Sequence, residues 1–139
     1  MVRSRKKTKV VPRATGIHHV QLALPEGAEA VARHFYGGVL GWTELPKPTH
    51  LAARGGLWYR VGSQEFHLGI EPEFQPARKA HPAILVDDLD ALRRRLWDEG
   101  VQTVDDQPLP GFRRFYARDP FGNRLEFLVA EQPSTAASD

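Results

Sequence analysis

The chain contains no cysteine. Disulfides, thiolate metal sites and a cysteine nucleophile are therefore excluded, and any metal would have to be held by His, Asp or Glu. Long apolar runs are also missing: none approaches the roughly 20 residues needed to span a bilayer. The N-terminus lacks the apolar stretch of a secretory signal, so a cytoplasmic location is expected, with no membrane partner. Acidic residues are absent from the first fifteen positions, where Arg3, Arg5, Lys6, Lys7, Lys9 and Arg13 stand unopposed. The other 124 residues carry 13 basic and 17 acidic side chains, so a body at −4 lies beneath the formal +2. A basic arm on an acidic body reads either as a contact for nucleic acid or an anionic surface, or as a solvated, disordered extension. No aromatic is interleaved with the cations to stack on bases, which favours the extension and argues against nucleic acid.

What is present suits one ordinary soluble domain. The chain has 139 residues, 41% hydrophobic and 26% charged. The boundaries read as a basic tail over 1–15, a folded body over 16–130 and a loose, polar C-terminal tail over 131–139.

The body reads as an internal repeat. In the segment 17–24, Val20, Leu22 and Leu24 share one phase while His19, Gln21 and Ala23 share the other, the mark of a half-buried strand. A helix is expected from Ala28 to about Val39, with Val31 and Phe35 on its apolar stripe. A short strand at 42–45 and a hairpin of 57–61 with 64–70 follow. After a loop containing Pro72 and Pro76 the order recurs: a strand at 82–86, a helix carrying Leu89, Leu92, Leu96 and Trp97, a short strand at 101–104, and a hairpin of 113–118 with 123–129. This predicts α+β class, with two βαβββ units forming a curved eight-stranded mixed sheet. Helices should cover its outer face and a cavity should lie inside. Pairing of the units within one chain or by exchange between two is open.

Alternation sorts the residues of the cavity face. His19, His67, His81 and Glu126 each fall on the phase opposite the apolar one, and the repeat places them in register. Three imidazoles and a carboxylate suit Zn, Ni, Mn, Co or Fe(II), so these four are the candidate metal ligands. Glu126 lies between two apolar residues, where an unpaired carboxylate is costly. It must be answered by a metal or by an arginine, Arg114 or Arg124. Tyr116 and its expected repeat partner Tyr59, with Trp58, Gln21 and Arg114, are candidates to contact substrate. Arg113 and Arg114 could steer an acidic one. Arg93, Arg94 and Arg95 read as the wet side of the second helix, and His34 and His50 as surface.

The segments His19-Val20-Gln21-Leu22-Ala23-Leu24, Phe35-Tyr36 through Leu40-Gly41, and Val86-Asp87-Asp88-Leu89-Asp90 are similar to stretches of the vicinal oxygen chelate superfamily. This is the fold of glyoxalases, bleomycin-resistance proteins and extradiol dioxygenases. The strongest signature is Phe115-Tyr116 followed by Asp119-Pro120-Phe121-Gly122-Asn123-Arg124-Leu125-Glu126, which resembles its final hairpin. The resemblance covers about residues 17–129. It implies a divalent metal at His19, His81 and Glu126, with His67 at a fourth position that is a carboxylate in glyoxalase I enzymes. It also implies Glu126 and Tyr116 as catalytic groups, a small oxygenated substrate and a homodimer. The activity implied is that of an isomerase, lyase, thiol transferase or dioxygenase. The alternative is a metal-free, drug-binding protein of the bleomycin-resistance kind.

Overall fold

The structure, a computed structural model, describes residues 10–132. Residues 10–18 are exposed and form no regular element. The cations of the basic arm before residue 10, and the C-terminal positions after 132, lie outside the described residues.

Two βαβββ units follow one another. The first comprises β1 (His19–Leu24), the helix α1 (Glu29–Ala32) running on into a π-helical stretch (Arg33–Val39), β2 (Thr43–Leu45), a helical turn α2 (Thr49–Ala52), β3 (Leu57–Val61) and β4 (Gln64–Ile70). The second comprises β5 (Ala83–Leu85), α3 (Leu89–Asp98), β6 (Thr103–Asp105), β7 (Phe112–Arg118) and β8 (Arg124–Ala130). Each unit forms a four-stranded mixed sheet, ordered β1-β4-β3-β2 and β5-β8-β7-β6. The α+β class and the duplicated unit are as expected. The eight strands, however, stand as two sheets, and no strand of one is hydrogen-bonded to a strand of the other.

Period-two alternation decides which face of each sheet is dry. In the first unit Leu57, Tyr59, Phe66 and Leu68 point to one side and are buried against Phe35, Tyr36 and Val39 of the helix. In the second, Ile84, Phe115, Ala117, Leu125 and Phe127 bury against Leu89 and Leu96 of α3. Each fully buried Leu or Phe contributes about 2 kcal/mol. α3 begins where the Asp88 side chain accepts from the Ala91 amide at 3.0 Å. It ends at Gly100, whose positive φ of 77° lets the chain reverse.

The expected single helix over 28–39 changes its winding. Leu40 N–H donates to Phe35 C=O, five residues back, the pattern of a π-helix. Phe35 and Tyr36 are both buried in this stretch although they are consecutive. The turn α2, between Pro48 and Gly55, has no counterpart in the apolar pattern of the sequence.

The units are clasped together by the turn between β7 and β8. Asp119 there receives Tyr36 O–H at 2.6 Å and Asn123 Nδ2 at 2.9 Å, while the Asn123 amide also reaches Ala23 C=O at 2.8 Å. Arg95 adds two bonds from α3, to Val39 C=O at 2.6 Å and Gly38 C=O at 2.9 Å. Arg93 covers the Phe115 ring at 4.7 Å and pairs with Asp105 at 2.8 Å. Two of the three consecutive arginines are thus structural rather than merely solvated.

Candidate functional site

On the face turned away from its helix, the first sheet carries a column of rings. Trp58 pairs with His67 across β3 and β4. The His67 ring is stacked on Trp58 at 4.4 Å and 10°, and on His19 at 4.1 Å and 15°. Gln21 is in register with His67, and its amide lies across Gly69, where a Cβ would come within 2.6 Å of Nε2. His67 Nε2 is 2.9 Å from Glu65 Oε1. Since the carboxylate can only accept, Nε2 bears a hydrogen, which leaves Nδ1 as the ring nitrogen that could bind a metal. This hydrogen bond, more than the nearby His18 and Arg60, holds the Glu65 carboxyl below its ordinary value. The His19 imidazole is held below the usual histidine value of 6.5 by loss of surrounding water, then by His67 and His18, against a smaller pull from Glu65. It is therefore neutral and ready to act as a ligand at neutral pH.

The corresponding face of the second sheet carries His81, Glu126, Tyr116 and Arg114. His81 Nδ1 is 2.7 Å from Lys79 C=O. A carbonyl only accepts, so Nδ1 bears a hydrogen; Nε2 faces Glu126 Oε1 at 3.0 Å, a contact that needs one further proton between them, in the place a metal ion would take. A backbone carbonyl holding Nδ1–H is the arrangement that orients metal-binding histidines. Glu126 is buried; its Oε1 also lies 3.5 Å from Arg114 Nη1, but its Oε2 is buried with no hydrogen-bond partner. Arg114 donates to the Tyr116 hydroxyl at 2.9 Å, which leaves the phenol proton free. Burial, then the nearby Glu126 charge, raises the Tyr116 phenol above its ordinary value against the pull of Arg114 and Arg124.

The four candidate ligands thus form two pairs, His19 with His67 and His81 with Glu126, one on each sheet. Among the described residues no three His, Asp or Glu groups could hold one ion. The expected convergence of all four is not found within one chain, because the two sheets share no ladder that would bring their open faces into register. In donor chemistry the residues fit a divalent metal: a neutral His19, the imidazoles of His67 and His81, the latter oriented by a backbone carbonyl, and an orphaned carboxylate oxygen on Glu126. In number, each pair falls short alone.

Tyr59 does not belong to this face. It lies in the helix-facing core beside Tyr36 and Trp42, fully buried. The counterpart of Tyr116 is Trp58: Tyr116 pairs with Glu126 as Trp58 pairs with His67. A shift of one residue along a strand reverses the face. Glu65 has no part in the sequence reading, although it stands two positions before His67 and so shares its face; of the two arginines expected near Glu126, Arg114 approaches it and Arg124 does not pair with it. Arg124 lies over the Tyr116 ring at 4.0 Å.

On the side of Tyr116 and Arg124 a cavity of about 630 Å³ opens between the first unit's helix and the second sheet. Val31, Phe35, Val39 and Val104 supply its apolar wall, and Tyr116 and Arg124 its polar end.

Comparisons with known proteins agree with this architecture. The model of the Glyoxalase/Bleomycin resistance protein/Dioxygenase superfamily matches residues 16–127. A glyoxalase family protein from Bacillus anthracis is 45% identical, with a TM-score of 0.82, over 87% of this chain and 99% of that one. Two more distant structures share the fold. Lactoylglutathione lyase from Agrobacterium tumefaciens has a TM-score of 0.64 at 20% identity, over 84% of this chain and 95% of that one. The genomically encoded fosfomycin resistance protein from Listeria monocytogenes has a TM-score of 0.68 at 14% identity, over 86% of this chain and 96% of that one. No curated protein sequence matches. With a family model spanning most of its length and a close structural relative over nearly all of its body, the chain belongs to the glyoxalase/bleomycin resistance/dioxygenase superfamily.

Proposed function

We propose that the protein is a metal-dependent enzyme acting on a small oxygenated substrate, with each site assembled from two copies of the chain. The observation that carries this reading is Glu126: a buried carboxylate with one oxygen beside His81 and the other without a partner. An orphaned buried carboxylate oxygen costs several kcal/mol by order of magnitude, and a cation relieves that cost. His81 and Glu126 of one copy, with His19 and His67 of a second, would supply the donors. The open faces that a second copy would cover carry the exposed side chains Leu85 and Val104.

What a divalent ion such as Zn, Ni, Mn or Fe(II) supplies in such a setting is Lewis acidity toward the oxygens of a chelated substrate. The chain's own groups do the rest. The Tyr116 phenol, kept protonated and already accepting from Arg114, donates its hydrogen to a substrate oxygen. Glu65 holds the His67 ring by Nε2 and so leaves Nδ1 as the nitrogen to meet a metal. Trp58 backs that ring and excludes water behind it.

Elemental analysis of protein purified without a histidine tag or added metal tests the reading. The wild type is expected to carry stoichiometric metal, and Glu126→Gln, His81→Ala and His19→Ala each to lose it while keeping their fold by circular dichroism. A wild type that neither retains metal nor takes it up would sink the enzyme reading. The apolar cavity of about 630 Å³ would then favour metal-free binding of a small molecule.

A further inference from the structure

The second unit places two arginines where strand pairing alone gives no reason for them. Arg118 and Arg124 are directly opposite each other on β7 and β8. Both line the cavity next to Tyr116. Like charges facing one another across a strand pair repel and destabilise the sheet. The usual remedy, an interleaved carboxylate, is missing. Among the described residues, the guanidinium contacts found are to main-chain carbonyls and an aromatic ring. Arg118 donates to Gly122 C=O at 2.9 Å and Arg124 to Lys79 C=O at 3.4 Å, with Arg124 over the Tyr116 ring. The two carboxylates that also line the cavity are engaged elsewhere: Glu99 with His34 at 3.3 Å, and Asp119 with Tyr36 at 2.6 Å. Beyond this cationic end, the wall of Val31, Phe35, Val39 and Val104 is apolar.

The geometry points to a substrate class: a small organic anion whose carboxylate, phosphate or phosphonate sits between Arg118 and Arg124 and whose apolar body fills the cavity. The inference deepens the functional reading above and rests on it for one point, that the anion lies beside Tyr116 and Glu126 and hence next to the reacting end. A guanidinium is suited to this task because it stays charged at any physiological pH and offers planar, paired donors to an oxyanion. Stacking on Tyr116 holds the Arg124 plane in place without neutralising it. The anion would also relieve the repulsion between the two arginines, so binding should be linked to stability.

The test is calorimetric titration of the full-length protein with 4-phenylbutyrate and with its neutral analogue 4-phenylbutanol, each with and without added Zn. Inorganic phosphate serves as a third titrant. The wild type should bind the acid about ten times more tightly than the alcohol, the scale expected of hydrogen bonds to a charged group. Arg124→Gln should erase most of that preference and leave alcohol binding in place. Arg124→Gln should also raise the thermal midpoint of the ligand-free protein, which a purely structural arginine would lower. Equal affinity for acid and alcohol in the wild type, or an unchanged preference in both Arg124→Gln and Arg118→Gln, would overturn the assignment. Inorganic phosphate binding as tightly as the acid would remove the apolar half of it. A wild type that discriminates acid from alcohol but takes up no metal keeps the anion site and discards the metal reading. One that takes up metal without discriminating does the reverse.

Discussion

Tyr59 carries a hydroxyl into a core that offers it nothing to bond. Its ring is fully buried beside Tyr36, Trp42 and Phe66, and its oxygen has no partner. Burial, then the Glu44 charge, pushes its phenol up to about 12. Removing a buried, unsatisfied hydroxyl is neutral to favourable, by about 1 kcal/mol. Tyr59→Phe is accordingly expected to unfold in denaturant at the wild-type midpoint or above it; a clear loss of stability would mean the hydroxyl is bonded after all. The same residue sets an alkaline limit. Its neutral form is favoured by folding, so its contribution is complete below the ordinary phenol value of 10 and is lost as pH rises toward about 12. Tyr36 is raised well above its ordinary value, first by burial and then by Asp119, and Tyr116 is raised as well. Phenolate absorbance should therefore stay low at pH 10 in the native protein and appear together with unfolding above it, later in Tyr59→Phe than in the wild type. At this scale the sequence was readable where polar and apolar residues alternate cleanly, as around His19, His67 and Glu126. It misled at Trp58-Tyr59, two aromatics in succession, because hydropathy alone does not say which of them faces the helix.

The strands and α3 followed from the sequence to within a residue or two, because two-residue and three-to-four-residue periods announce themselves. The π-helical winding after Ala32 did not: it arises from long-range demands on Phe35, Tyr36 and Val39 that no local pattern encodes. The turn Asp119-Pro120-Phe121-Gly122-Asn123 was visible as a turn. Its part as a clasp was not, since the groups it holds, Tyr36 O–H and Ala23 C=O, lie some hundred residues away in the case of Asn123. Asp119 Oδ1 accepts from the Phe121 and Asn123 amides at 2.9 and 2.8 Å, so the turn is shaped before it meets the first unit. Asn123→Ala leaves Asp119 and Ala23 C=O short of a donor in a buried setting. A loss of about 2 kcal/mol is expected in chemical denaturation. A loss within error of zero would mean the clasp is replaced by solvent at little cost.

In the whole molecule, each chain presents two open sheet faces with one pair of candidate ligands on each. The sequence brought out the four candidate ligands through their repeat positions, but not their separation into pairs. Strand alternation reports which way a side chain points, and says nothing of what lies opposite. Because Tyr36, Asp119 and Asn123 clasp the two units within one chain, the proposed pairing with a second copy would be a separate, concentration-dependent step between folded chains.

That division has a genetic meaning. On the proposed two-copy site, His19→Ala would destroy one half-set and Glu126→Gln the other, and each damaged chain would still carry the half its counterpart has lost. Unfolded together and renatured as a mixture, two inert variants should regain metal, with one sound centre and one doubly broken centre in every hybrid pair. Mixtures of His81→Ala with Glu126→Gln, which injure the same half, should regain none, so complementation between defective chains maps which residues come from the same polypeptide.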